Sequence, residues 1–125
     1  MQSIPYTLWA DLLGKPWRAD ARGPDAYDCV GLLLEIERRL GYTLPDYASE
    51  SHALLAAMAA WERVTDPQPG DGILIYSAHP RWHVAVVCSP NMMLHSREGL
   101  GVAIERYSGF PWQSQIEGFY RWRLS

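Results

Sequence analysis

Cys29, His83 and His95 are the residues of this chain whose types and settings suit chemistry. Pro24-Asp25-Ala26-Tyr27-Asp28-Cys29-Val30-Gly31-Leu32 places a thiol where a turn gives way to an amphipathic helix. At a helix N-terminus the backbone dipole and unpaired N–H groups favour thiolate, the nucleophilic form. Further on, Trp82-His83-Val84-Ala85-Val86-Val87 and Met93-Leu94-His95-Ser96 put one histidine on each of two consecutive strand-like segments. A thiol, a base and a residue to orient that base are the parts of a cysteine hydrolase. Taken singly, each has a plainer reading: a half-buried cysteine acting as a small hydrophobe, or a histidine on a strand surface. The joint pattern is what points to catalysis.

The elements that must position these residues can be read from periodicity. From Cys29, Leu33, Ile36 and Leu40 fall at i+4, i+7 and i+11, one helical stripe, with Glu35, Glu37, Arg38 and Arg39 mostly elsewhere. Asp28 is a natural N-cap, and Gly41 sits where a left-handed C-terminal residue belongs. Tyr6 to Leu13 reads as a short helix closed by Gly14, and residues 15–28 as a loop rich in Gly, Pro, Asp and Arg. Ser51 is placed to cap a second helix through Ala53, Leu54, Met58 and Trp61. After the break Pro67-Gln68-Pro69-Gly70-Asp71-Gly72 the pattern becomes short strands: Ile73–Tyr76, His83–Cys88, Met92–Ser96, Val102–Arg106 and Phe119–Arg123. Helices first and strands second predict an α+β domain, helices packed on one face of an antiparallel sheet.

Strand alternation puts His83, Ala85 and Val87 on one face and Val84, Val86 and Cys88 on the other. Cys88 then points away from His83, as an inert buried thiol. A three-residue connection over Ser89–Asn91 pairs Cys88 with Met92 and Ala85 with His95. His83 and His95 become diagonal neighbours on one face, about 7–8 Å apart at the backbone. A two-residue Pro-Asn turn would shift the register by one and separate them. His52 and His79 have no such setting and read as surface residues.

Composition narrows the classes. The chain has 125 residues, which predicts one domain over 1–125 with a core that needs neither disulfides nor structural metal. Eleven basic against 14 acidic residues, net −3 and without a basic run, argue against a nucleic-acid partner. No stretch has the apolar length of a membrane span, and Met1-Gln2-Ser3-Ile4-Pro5-Tyr6 shows no signal-peptide pattern. Two cysteines make no disulfide framework, and no Cys/His spacing suits zinc, so neither metal nor cofactor is expected. Six tryptophans and seven tyrosines against two phenylalanines favour wet surfaces, with Trp17, Trp82 and Trp112 as candidates to line a groove or face a partner; the plainer alternative is that about half the set are ordinary core residues.

The ordered set Leu13-Gly14-Lys15-Pro16-Trp17, Asp28-Cys29-Val30-Gly31-Leu32, Pro69-Gly70-Asp71, His83-Val84-Ala85-Val86-Val87 and Leu94-His95-Ser96 resembles the NlpC/P60 family of cell-wall cysteine peptidases. The resemblance spans about Leu12 to Glu105. It implies a papain-like fold with Cys29 as nucleophile, His83 as general base, His95 orienting the imidazole and the Cys29 N–H in an oxyanion hole. Trp17, Asp28 and Trp82 are the implied substrate contacts. The implied substrate is the peptidoglycan stem peptide, cut between D-glutamate and the diamino acid. Departures are Trp17 where many members have tyrosine, Ala19-Asp20-Ala21 where they have an aromatic and a Gly-Gly pair, and Val30 where serine often follows the cysteine. Gly-Pro-Asp-Ala-Tyr-Asp-Cys and Leu-Pro-Asp-Tyr resemble the subtype of phage tail modules. That implies tail-tip proteins as partners and an enzyme made in the cytoplasm, carried by a tail and acting in the wall or periplasm, docked through exposed aromatics and the Tyr107–Glu117 loop. Two rival readings remain: a structural docking subunit of the tail tip with little activity, and a papain-like amidase or acyltransferase.

Overall fold

The computed structural model describes residues 2–49, 51–77 and 81–123. Helices α1 (Cys29–Arg39) and α2 (Ser51–Met58) come first. They are followed by strands β1 (Glu62–Val64), β2 (Gly72–Ser77), β3 (Arg81–Ser89), β4 (Met92–Arg97), β5 (Gly101–Arg106) and β6 (Ile116–Arg121). The strands form one antiparallel sheet in the order β1-β6-β2-β3-β4-β5. Both helices pack on β3, and α1 also reaches β4. This is the α+β arrangement that the change of periodicity at Pro67 predicts.

Two apolar layers flank the sheet. Val84, Val86, Cys88, Leu74 and Leu94 face the helices, where they meet Val30, Leu33, Ile36, Leu54 and Met58. Ile73, Ile75, Ala85, Val87 and Met93 face the other way, onto Tyr107, Trp112 and Phe119. Cys88 is buried on the helix side and unbridged, as the alternation implies.

Three sequence expectations change. Tyr6–Leu13 forms two 3-10 turns, Tyr6–Leu8 and Ala10–Leu12, because Pro5 offers no side-chain cap and the Trp9 indole is pinned to the Ile4 carbonyl instead (3.1 Å). The second helix ends at Met58, before Trp61. Strand β6 starts three residues earlier than Phe119, and the short β1 pairs with it at the sheet edge. Of the six tryptophans, Trp9 and Trp61 are buried, while Trp17, Trp82, Trp112 and Trp122 are half-buried. His79 and the His52 side chain lie outside the described part of the structure.

The turn between β3 and β4 decides the register. Ser89 pairs with Met92 across Pro90-Asn91, a two-residue turn in which Asn91 takes φ +69°. Such a turn by itself would put His83 and His95 on opposite faces. An extra residue at Cys88 bulges out between the Val87–Met93 and Ser89–Met92 pairs and restores the parity, so Val86 pairs with Leu94. The histidines therefore share a face.

Candidate active site

The pairing of β3 with β4 runs up to Val86–Leu94 and goes no further toward the start of β3, so the two strands part beside Val84 and Ser96. Strand β2 still pairs with β3 along this stretch, through Ser77–Arg81. Val87 exchanges backbone bonds with the β2 side, through Asp71 and Gly70. By alternation the N–H of Val84 points the other way, into the fork. The segment Tyr27–Cys29 enters there. Ser96 Oγ donates to the Tyr27 carbonyl (2.6 Å), and the Val84 N–H bears on the Cys29 sulfur. A thiol from the helix layer is thus brought to the strand residue next to His83.

The loop that delivers Cys29 is held at many points. Tyr27 N–H donates to Pro16 O (3.0 Å) and Asp28 N–H to Ala21 O (3.1 Å). The buried Asp28 carboxylate accepts from Gly31 N–H (2.7 Å), Asp20 N–H (3.0 Å) and Arg22 Nη1 (2.9 Å). The first of these is the N-cap of α1. Arg22 also reaches Asp46, the Tyr47 carbonyl and Ser49 Oγ, which ties the loop after α1 to the loop before it. Gly31 has to be glycine, since a Cβ there would lie 2.1 Å from the Ala21 oxygen. Asp28 thus has three structural bonds in addition to its nominated role as a substrate contact.

On the opposite side of the fork, His83 Nε2 is 2.8 Å from His95 Nδ1, and His95 Nε2 is 2.6 Å from Glu105 Oε2. Trp112 Nε1 donates to Glu105 Oε1 (3.3 Å), and Arg97 Nε reaches Oε2 (3.2 Å). The Trp112 ring stacks near His83, 25° from parallel at 6.3 Å, and meets His95 edge-on at 5.2 Å. Arg97 lies over the same indole at 5.7 Å. His95 is fully buried. Trp82 meets Tyr76 edge-on at 5.0 Å beside His83. Trp17 follows Lys15 and Pro16, whose carbonyls bond Val102 and Tyr27 respectively. The three nominated substrate contacts therefore occupy different places: Trp17 and Asp28 belong to the loop that delivers the thiol, and Trp82 to the base strand.

Charge in the site is set mainly by burial. Burial pushes the Cys29 thiol up to about 11 and outweighs the Val84 and first-turn N–H groups that favour thiolate; the Asp28 charge adds to the upward push. His83 is held down to about 3 by burial, then by His95 and Arg97. Both directions favour the uncharged forms, a thiol on Cys29 and an imidazole on His83. The helix N-terminus alone predicts a stored thiolate; desolvation wins. His95 is lowered by burial against the upward pull of Glu105. Burial raises Glu105, yet its bonds from His95 and Trp112 and the Arg97 charge leave it below the ordinary value. Among the described residues no three His, Cys, Asp or Glu side chains are grouped to hold a metal ion, and no helix is long and apolar enough to cross a membrane.

Glu105 has no part in the sequence reading, although its strand is predicted there. The signal was parity. Glu105 pairs with Met93 and His95 with Ala103, so Glu105 and His95 share a face as diagonal neighbours.

A family model described as NlpC/P60 family matches residues 14–121. A curated relative, "Probable endopeptidase p60" of Listeria grayi, is 27% identical over 109 residues; these are 87% of this chain and 20% of that protein. The chain therefore spans about a fifth of that relative's length. An NlpC/P60 family protein from Bacillus cereus superposes with a TM-score of 0.71 at 24% identity, covering 89% of this chain and 36% of the other. The P60 domain of an antigen from M. avium subspecies paratuberculosis gives 0.63 at 17% identity, covering 94% and 90%. These structures share the fold.

Proposed function

Because the chain belongs to the NlpC/P60 family, we propose that it is a cysteine peptidase acting on peptidoglycan stem peptides, at the bond between D-glutamate and the diamino acid. Cys29 is the nucleophile, His83 the general base and His95 the residue that orients it. The observation that carries this reading is the fork between β3 and β4. There a thiol on a helix N-terminus meets the strand of an imidazole whose Nε2 is 2.8 Å from a second histidine. The name of the Listeria relative supports the reaction class.

In this reading each ring proton is assigned from its partner, beginning at Glu105. Glu105 is a carboxylate, so His95 donates to it from Nε2–H and, being neutral, accepts at Nδ1. His83 therefore donates from Nε2–H and keeps its lone pair on Nδ1, the nitrogen left to take a proton from sulfur. As the thiol attacks the amide carbon, its proton passes to His83 Nδ1. The Cys29 N–H at the helix start stabilises the oxyanion. Imidazolium then protonates the leaving amine, and a water deprotonated by His83 releases the acyl group and restores the thiol.

For its setting, we read the enzyme as cargo of a phage-type tail, made in the cytoplasm and acting in the wall. The resemblance of Gly23-Pro24-Asp25-Ala26-Tyr27-Asp28-Cys29 and Leu44-Pro45-Asp46-Tyr47 to tail-module members supports this. So does Phe110, fully exposed in the connection between β5 and β6. Incubation with defined muropeptides and mass analysis of the products tests the reaction: a new amine on the diamino acid is expected, and transfer to an added amine without hydrolysis would contradict it. Co-purification with intact tails tests the setting, and absence from such particles would overturn it.

A further inference from the structure

We infer that Glu105 is a positioning residue that decides, through His95, which nitrogen of His83 carries the proton. The inference rests on the peptidase reading for its effect on rate, but the tautomers themselves can be observed without any reaction.

Three strands contribute to one line of hydrogen bonds: Glu105 on β5, His95 on β4 and His83 on β3. Each neutral imidazole has one donor and one acceptor nitrogen, so the state at one end fixes the state at the other. With a carboxylate at His95 Nε2, the proton of each ring sits on Nε2 and His83 Nδ1 is free. If that acceptor is removed, His95 Nε2 is left beside Arg97 and Trp112, which only donate, and its proton moves to Nδ1, since a buried unpaired N–H is costly. Nδ1–H would then donate to His83 Nε2. That places the His83 proton on Nδ1, where a base must be empty. One substitution two residues along the line inverts the nitrogen that the thiol needs.

The structure also shows why this carboxylate stays put. One oxygen accepts from Trp112 (3.3 Å), the other from His95 (2.6 Å) and Arg97 (3.2 Å). Arg97 in turn lies over the Trp112 ring, so the residues that hold Glu105 are held by one another. A carboxylate serving only the surface of β5 would not need to be fixed from both sides.

The test uses ring-nitrogen NMR on histidine-labelled Cys29→Ala protein, which cannot turn over. Both His83 and His95 are expected as Nε2–H. Adding Glu105→Leu should bring Nδ1–H signals into both rings, whereas Glu105→Gln, which keeps an acceptor, should leave Nε2–H dominant. In the Cys29 enzyme, Glu105→Leu should lower kcat on a stem peptide by about 10²-fold with KM little changed, and Glu105→Gln should recover most of it. Unchanged tautomers in Glu105→Leu, or altered tautomers with full kcat, would overturn the inference. Should the parent enzyme cleave no stem peptide, the peptidase reading fails, while the NMR comparison still decides the role of Glu105.

Discussion

Ser96 Oγ donates a 2.6 Å hydrogen bond to the Tyr27 carbonyl, joining β4 to the turn that ends in Cys29 across 69 positions of sequence. Ser96 is fully buried, and the bond lies where β3 and β4 part. It bridges the helix layer and the sheet two residues before Cys29.

Ser96→Ala should therefore affect both stability and rate. The Tyr27 carbonyl would lose its partner in a buried site, at a cost of about 1–2 kcal/mol. Release of the turn would also loosen the sulfur position, and kcat/KM should fall by roughly tenfold or more. Urea unfolding and muropeptide kinetics check the two effects, and unchanged kinetics would mean that the bond does not position Cys29.

A thiol raised by burial has its own signature. With the thiol raised to about 11, alkylation of Cys29 by iodoacetamide should keep rising with pH beyond 8.5, because thiolate is the reacting form. A plateau from pH 5 to 8 with an inflection near 4 would instead reveal a stored thiolate–imidazolium pair.

Glu37 offers a prediction about folding. It is buried, its Oε2 has no hydrogen-bond partner among the described residues, and burial, aided by the Asp71 charge, raises it to about 8. Between the ordinary value of 4.5 and about 8 the native state holds a proton that the unfolded chain has released, so stability falls as pH rises through this window. Relative to Glu37→Gln, the protein should lose up to about 4 kcal/mol between pH 5 and 8. Urea unfolding at the two pH values measures this, and parallel curves for the two proteins would refute it.

His95→Asn should keep part of the activity and His95→Ala much less, because an amide oxygen can still accept His83 Nε2–H and hold its tautomer. Equal kcat for the two variants would remove the orienting role.

Much of this arrangement is legible in the sequence, for local reasons. The α1 stripe, the Asp28 cap and the alternation through His83–Cys88 are short-range patterns, and the structure reproduces them. The register is less accessible. Pro90-Asn91 forms the two-residue turn that would separate the histidines, and only the extra residue at Cys88, a bulge set by sheet pairing, brings them back together. Strand β1 was not foreseen because Glu62-Arg63-Val64 is short and charged, and its partner β6 is more than fifty residues away. Glu37 falls off the apolar stripe of α1, yet it is covered by the Pro69–Asp71 turn and Trp122, with which it lines a cavity of about 240 Å³. Long-range contacts settled what local pattern could not.

The central claim is that Cys29, and not the buried Cys88, attacks the substrate. The most direct measurement is muropeptide hydrolysis by Cys29→Ala and Cys88→Ala, with each variant first shown to be folded. Cys29→Ala should show no turnover, since alanine suits the helix start but offers no nucleophile, while Cys88→Ala should retain most of the parent rate. Turnover by Cys29→Ala, or its loss in folded Cys88→Ala alone, would contradict the account.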